Sequence, residues 1–202
     1  MKRRFPRGIH ALPVVLWMAA GCLPLPTVSW SDALSPKDER ALVRQIQRTV
    51  IQGELERGRY ADAEGIARDR VAEATARQDS LAAADAMDLL VDALRMQGKY
   101  RDSEARTLAE TSLAIRERLL EPDDPEIAFS LGALGRLLTS MSELDAAGTV
   151  LERALDIRRR HLRPTDPLLA RSVADMGGWA QARGDFATAE AKHREATRIL
   201  EN

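Results

Sequence analysis

Cysteine is nearly missing from this chain. Cys22 is the single one, so no intrachain disulfide can staple the fold. Aromatic residues are scarce too, at 4%, which leaves any core to aliphatic side chains and alanine. That composition leans towards helix, because Ala, Leu, Arg and Glu all have high helix propensity. No strand-like alternation of apolar and polar residues follows residue 35. Only three histidines occur, His10, His161 and His193, and none has a partner at metal-ligand spacing. A phosphate-binding glycine loop and a GxSxG nucleophile turn are both lacking. The many Asp and Glu residues have ordinary surface explanations on charged helices. These absences argue against an enzyme and call for no cofactor or metal.

A charge excess is lacking as well, but its distribution is informative. The chain carries −1 overall, and residues 1–31 hold Lys2, Arg3, Arg4 and Arg7 with no acid, so the remainder carries −5. A mildly acidic surface argues against nucleic acid as a partner. The basic start is followed by the apolar "ALPVVLWMAAGCLPLP" and then the polar "SWSDALSPKDER". This three-part plan predicts a signal peptide over 1–31 and an exported, periplasmic or envelope protein. The apolar run is short for a membrane span and is broken by Pro13, Pro24 and Pro26. "MAAGC" resembles a lipobox and makes Cys22 a candidate lipidation site, with ordinary cleavage near "SWSDA" as the competitor. Membrane contact is expected only through the leader or such an anchor.

What the sequence does contain is repetition. "GRYADAE" at 58–64 returns as "GKYRDSE" at 98–104, as a degenerate "SELDAAG" at 142–148, and as "GDFATAE" at 184–190. The phase marks Gly58, Gly98, Ser142 and Gly184 are 40, 44 and 42 residues apart, so one unit has a two-residue excess after Gly98. Upstream of the marks, Ala83, Met87, Leu90 and Leu94 form a helical stripe spaced 4, 3, 4. Ile127, Leu131, Leu134 and Leu138 repeat that spacing, as do Leu169, Val173, Met176 and Ala180. Downstream, Leu144, Ala147, Leu151 and Ala154 form a second stripe spaced 3, 4, 3. Each unit therefore reads as two amphipathic helices joined by a tight turn.

The recurring heptapeptide is that turn. Its glycine can cap the first helix in the left-handed conformation. The ring or leucine (Tyr60, Tyr100, Leu144, Phe186) is expected to pack between the helices, and the small residue (Ala63, Ser103, Ala147, Ala189) to let the backbones approach. Gly135 and Gly177 sit at matching places for a second close approach. The links "LLEPDDPEIA" at 119–128 and "HLRPTDPLLA" at 161–170 also match, and Asp124 and Asp166 before proline are candidate helix caps.

These residues resemble a tetratricopeptide repeat. "LAIRERLLEPDDPEIAFSLGALGRLL" and "LDIRRRHLRPTDPLLARSVADMG" are similar to the kinesin-light-chain repeat subtype. The likeness is good over 81–202, read as three helix pairs, and weak over 36–80, within an N-terminal pair bounded at 32–80, where Gln47 and Glu54 fall at expected core positions. A degenerate N-terminal pair with its own stripe of Leu42, Ile46 and Val50 is the expectation there. The resemblance implies an all-α superhelix of about four helix pairs. It also implies a protein or peptide partner held in a concave groove lined by first helices. Members of this subtype often carry paired asparagines after the Ser-Leu start. Here Gly132 and Ala133 follow Ser130-Leu131, and Ala174 and Asp175 follow Ser172-Val173.

Counting from the phase marks gives the candidate groove residues. They are Arg48, Asp85, Asp88, Asp92, Arg95, Phe129, Arg136 and Arg171, with Gln45, Gln52, Thr139 and Gln181 beside them. Asp85, Asp88 and Asp92 share one helix face, and a basic partner segment would relieve their repulsion. The alternative is a solvated acidic face neutralised by Arg48, Arg95 and Arg136. A second candidate surface is the last helix pair, where Val173, Met176, Trp179, Ile199 and Leu200 suggest self-association. A structural subunit of an envelope assembly, packing end to end, is the competing function.

Overall fold

The computed structural model describes residues 35–201. The expected leader and Cys22 lie outside the described residues. Among the described residues eight α-helices follow one another. They are α1 (Pro36–Glu56), α2 (Tyr60–Ala76), α3 (Ser80–Met96), α4 (Ser103–Leu119), α5 (Ile127–Ser140), α6 (Leu144–His161), α7 (Pro167–Ala182) and α8 (Phe186–Glu201). Residues 40–202 form one unit, and the preceding unit ends at Glu39, within the first turn of α1. All tertiary contacts below belong to the unit that starts at Arg40.

The three stripes upstream of the phase marks are the core. Leu90, Leu94, Ile127, Leu131, Val173 and Ala180 are almost wholly enclosed. Each such helix packs on the helix that follows it, α3 on α4, α5 on α6 and α7 on α8. The first helices also abut in sequence, α3 on α5 and α5 on α7, so they form a continuous inner row. An all-α stack of helix pairs follows, as the repeat predicts.

Left-handed turns close the first helices where the glycines predicted them. Gly58, Gly98 and Gly184 have φ of 73°, 77° and 82°. The degenerate copy keeps the conformation with a side chain in place, at φ 65° for Ser142. Its cap is completed by Glu143 N–H donating to the Leu138 carbonyl at 3.0 Å, the bond that ends a helix in this motif. The two-residue excess after Gly98 becomes a short 3-10 turn, Lys99–Arg101. That insertion moves the register of α4. Ala105, not Ser103, takes the enclosed small-residue position, and Ser103 is exposed.

Two further expectations change. Phe186 does not pack between helices and is 69% exposed, whereas Tyr60, Tyr100 and Leu144 are half-buried. Later helices reach those earlier turns: the Gln97 side chain donates to the Tyr60 carbonyl and the Trp179 indole to the Leu144 carbonyl. No described helix follows α8 to reach Phe186. In α1 the stripe Leu42, Ile46 and Val50 faces outward, at 45%, 53% and 52% exposure. The helix instead buries Ile51 and half-buries Gln47, Glu54 and Leu55. Glu54 tolerates this because Arg57 and Arg59 both donate to its carboxylate.

At the matched glycines it is side chains of the following helix, not its backbone, that come close. A Cβ on Gly135 would stand 2.4 Å from Leu151 Cδ2, and one on Gly177 2.8 Å from the His193 ring. The links behave as their sequence implies. Asp166 Oδ1 accepts from Leu168 N–H and Asp124 Oδ1 from Glu126 N–H, each at 2.8 Å. Pro167 fills the first turn of α7, where a missing N–H costs nothing.

Candidate partner-binding groove

The inner row leaves a concavity of about 980 Å³ between α1, α3, α5 and α7 and the links before α5 and α7. Its geometry follows from the repeat, since the same helix of each unit faces the same side. Of the candidate residues, Arg48, Asp85, Asp88, Asp92, Phe129, Arg136 and Arg171 line it, as do Gln45 and Gln52. Arg95, Thr139 and Gln181 are not among the lining residues.

The three aspartates are not a solvated stripe. Asp85, Asp88 and Asp92 are 6%, 6% and 4% exposed. A carboxylate that deep must be paired or lose its charge. Here each is paired. Asp85 meets Arg48 and Arg116 at 2.5 Å each, with Arg44 at 3.6 Å. Asp88 accepts from Arg116 at 2.6 Å and from the Ser112 hydroxyl at 2.5 Å. Asp92 meets Arg136 at 2.7 Å, Arg171 at 3.0 Å and Arg95 at 3.5 Å. The negative charge expected to draw a basic segment is thus already neutralised within the protein.

The pairs form two networks. In one, Arg44, Arg48 and Arg116 face Asp85, Asp88 and Glu126, three cations to three anions. In the other, Arg95, Arg136 and Arg171 face only Asp92 and Asp175. Burial pushes the Asp92 carboxyl up, but the charges of Arg136 and Arg171 outweigh it and hold the group at about 2. At Asp85, burial outweighs Arg48 and Arg116 and the shift is upward. Burial also opposes the charge of Arg48 and Arg136, and their carboxylate partners overcome it, raising both. Arg171 is shifted down, first by the charge of Arg136 and then by burial.

Phe129 is the aromatic wall. The Arg48 guanidinium lies 4.2 Å from its ring centre and that of Arg158 lies 5.1 Å away. Both are within cation–π range.

Three arginines of the site, Arg44, Arg116 and Arg158, were not singled out by sequence spacing. A signal for two of them existed. Ala147, Leu151 and Ala154 continue by four residues to Arg158, and Ala105, Ala109 and Ser112 continue by four to Arg116. A long cation at the end of an apolar stripe was the clue. Among the described residues no group of three or more His, Cys, Asp or Glu side chains is arranged to hold a metal ion.

Comparison with known proteins agrees with this architecture. Residues 103–160 match the tetratricopeptide repeat family. The crystal structure of BtubC (BKLC) from P. vanneervenii is similar, with a TM-score of 0.58 at 23% identity. The match covers 83% of this chain and 65% of that one, so this chain spans just under two thirds of that relative. The nearly identical TPR-like repeats of a kinesin light chain assignment from Podosopora anserina give a TM-score of 0.59 at 21% identity. There the match covers 78% of this chain and 74% of that one. No curated protein matches in sequence. Residues 103–160 carry the tetratricopeptide repeat pattern, and the fold is similar to that of these kinesin-light-chain-like repeat structures.

Proposed function

We propose that the chain is a non-catalytic interaction module that holds a segment of a partner protein in its concave groove. The fold is one suited to protein–protein interaction, and the observation that carries the finer reading is the concavity between α1, α3, α5 and α7. At about 980 Å³ it accommodates several side chains of an extended peptide. The groove mixes apolar walls at Leu89, Phe129, Leu162 and Leu168 with rigidly paired charges, which favours orientation-specific binding over a greasy contact. We also propose export, on the strength of the N-terminal residue pattern, to the periplasm or cell envelope.

A photo-crosslinking residue tests the groove directly. Placed at Gln45, which lines the groove, it should capture a partner in the native cell. Placed at Glu152, exposed on α6 and outside the groove, it should not. Capture from Glu152 alone would sink the groove reading.

The competing reading, an assembly subunit that packs end to end, has one observation in its favour. Phe186 and Leu200 on α8 are 69% and 62% exposed. The other apolar residues expected at that end are enclosed or half-buried, Val173 and Met176 against α8 and Trp179 over Gly148. A concentration series in light scattering that stays monomeric counts against this reading.

A further inference from the structure

Arg116 and Arg158 occupy equivalent positions, 42 residues apart on the second helices α4 and α6. Both are enclosed, at 0% and 2% exposure. Arg116 has two carboxylates, Asp85 and Asp88, and the Ser130 hydroxyl. Arg158 keeps the serine, Ser172 at 2.7 Å, which matches Ser130 at the same spacing of 42. The carboxylates are gone. First helices α3 and α5 align at a spacing of 44, so Phe129 stands where Asp85 would be and Gly132 where Asp88 would be.

Arg158 is therefore a buried cation with no carboxylate in contact, and Asp175 and Asp166 act on it only from a distance. No carboxylate oxygen lies within 4.0 Å of it among the described residues. Its remaining acceptors are neutral carbonyls, Leu168 at 3.1 Å and Ala128 at 3.4 Å, and its Nε has no acceptor at all. Burial pushes the guanidinium down to about 10, which still leaves it charged at neutral pH. An enclosed charge in this state is unfavourable unless something pairs with it.

The imbalance is local. Arg158 adds to the network that already sets Arg95, Arg136 and Arg171 against Asp92 and Asp175. Four guanidiniums stand at the α5–α7 side of the groove against Asp92 and Asp175, which they contact or feel, and the more distant Asp166, so positive charge is in excess there. Arg136, Arg158 and Arg171 all line the groove there. Arg171 is 32% exposed at its side chain and can turn towards a ligand.

We propose that Arg158 and Arg171 form a receptor for a phosphomonoester dianion at this end of the groove. A phosphomonoester carries −1.5 to −2 at neutral pH and offers three acceptor oxygens. Its charge answers the local excess of guanidiniums, and its oxygens suit their forked donors. A carboxylate offers fewer acceptor oxygens and less charge than a phosphomonoester. The site does not require that the groove hold a peptide, so its failure and the failure of the peptide reading are separable.

Isothermal titration of the full chain with inorganic phosphate tests the site, with sodium acetate at equal ionic strength as the control. Saturable binding of one phosphate, with much weaker acetate binding, is expected. Arg158→Leu should lower the phosphate affinity by roughly tenfold or more while the helical circular-dichroism signal persists. Should that variant fail to fold, Arg171→Gln at the partly exposed position must show the same direction of loss. Absence of saturable phosphate binding overturns the proposal, as does equal binding of acetate or an unchanged affinity in the folded variants. A phosphoserine peptide and free phosphate then distinguish the source. Tighter binding of the peptide places the group on a modified protein, tighter binding of free phosphate places it on a small molecule, and both support the site.

Discussion

Arg116 Nη1 donates to Asp88 Oδ2 across 2.6 Å, and this pair ties α4 to α3 from a guanidinium that solvent does not reach. Its neighbours Ser112 and Ser130 complete the cage. A residue that would read as a free acid on a groove face is a structural bolt.

Asp88→Arg is consequently expected to unfold the array rather than merely alter partner capture. Asp88→Ala, which leaves Arg116 buried with one partner fewer, should cost about 3–5 kcal/mol in urea unfolding. The paired replacement Asp88→Leu with Arg116→Met should recover part of that loss, since it removes both charges of the pair while Asp85 keeps Arg48 and Arg44. A single variant with an unchanged midpoint would contradict the buried pair.

Glycines on the two sides of the array should respond oppositely to alanine. At Gly135 the added Cβ meets the enclosed Leu151 at 2.4 Å, and a loss of about 1–3 kcal/mol follows from overpacking. At Gly65, in the interior of α2, a Cβ meets nothing within 4 Å. There the change should stabilise by up to about 1 kcal/mol through helix propensity. Thermal melts of both variants decide the matter, and a gain at Gly135 would show that Leu151 can move.

Ser142 carries a left-handed backbone that its three counterparts assign to glycine. The strain of a side chain there is about 1 kcal/mol. Ser142→Gly should raise the melting temperature slightly despite the added freedom of the unfolded chain. Gly184→Ala, at φ 82°, should lower it. Melts in which these two changes have the same sign would argue against the turn.

Acid should weaken the second charge network in a defined window. The Asp92 carboxyl is held at about 2, below its ordinary value of about 3.8. A group depressed on folding contributes stability above its unfolded value, and that contribution is lost as the pH falls through the folded value. The window therefore runs from about pH 4 down to about pH 2, with a total on the order of 2 kcal/mol. The stability gap between the wild type and Asp92→Asn should narrow as the pH falls through it. A gap that is constant from neutral to acid would mean that Asp92 is not held ionised by its arginines.

The backbone architecture was largely legible because it depends on periodic small and apolar residues. Stripes such as Ile127, Leu131, Leu134 and Leu138 carry their own spacing, and the turn glycines carry their own conformation. The site was legible only as positions. Counting from the phase marks placed Arg48, Asp85, Asp88, Asp92, Phe129, Arg136 and Arg171 around the groove, but it could not show which charges meet. That depends on long side chains from other helices, and Arg116 reaches Asp88 from 28 residues away. The α1 stripe misled for a related reason. Leu42, Ile46 and Val50 are the more apolar face, yet the helix buries Ile51, which joins the cluster of Leu89, Leu90 and Leu94 on α3.

Ion pairs between helices of non-adjacent units also bear on how the chain folds. In a simple stacked array each unit senses only its neighbours, so the ends can fray independently. Here Arg48 on α1 reaches Glu126 before α5, 78 residues away, and Arg171 on α7 reaches Asp92 on α3, 79 residues away. Such links raise the mean sequence separation of contacts, which slows folding relative to a purely local helical stack. They also make the loss of one end felt at the other. Hydrogen exchange should therefore report one broad cooperative opening across α3, α5 and α7 rather than a gradient of protection along the chain.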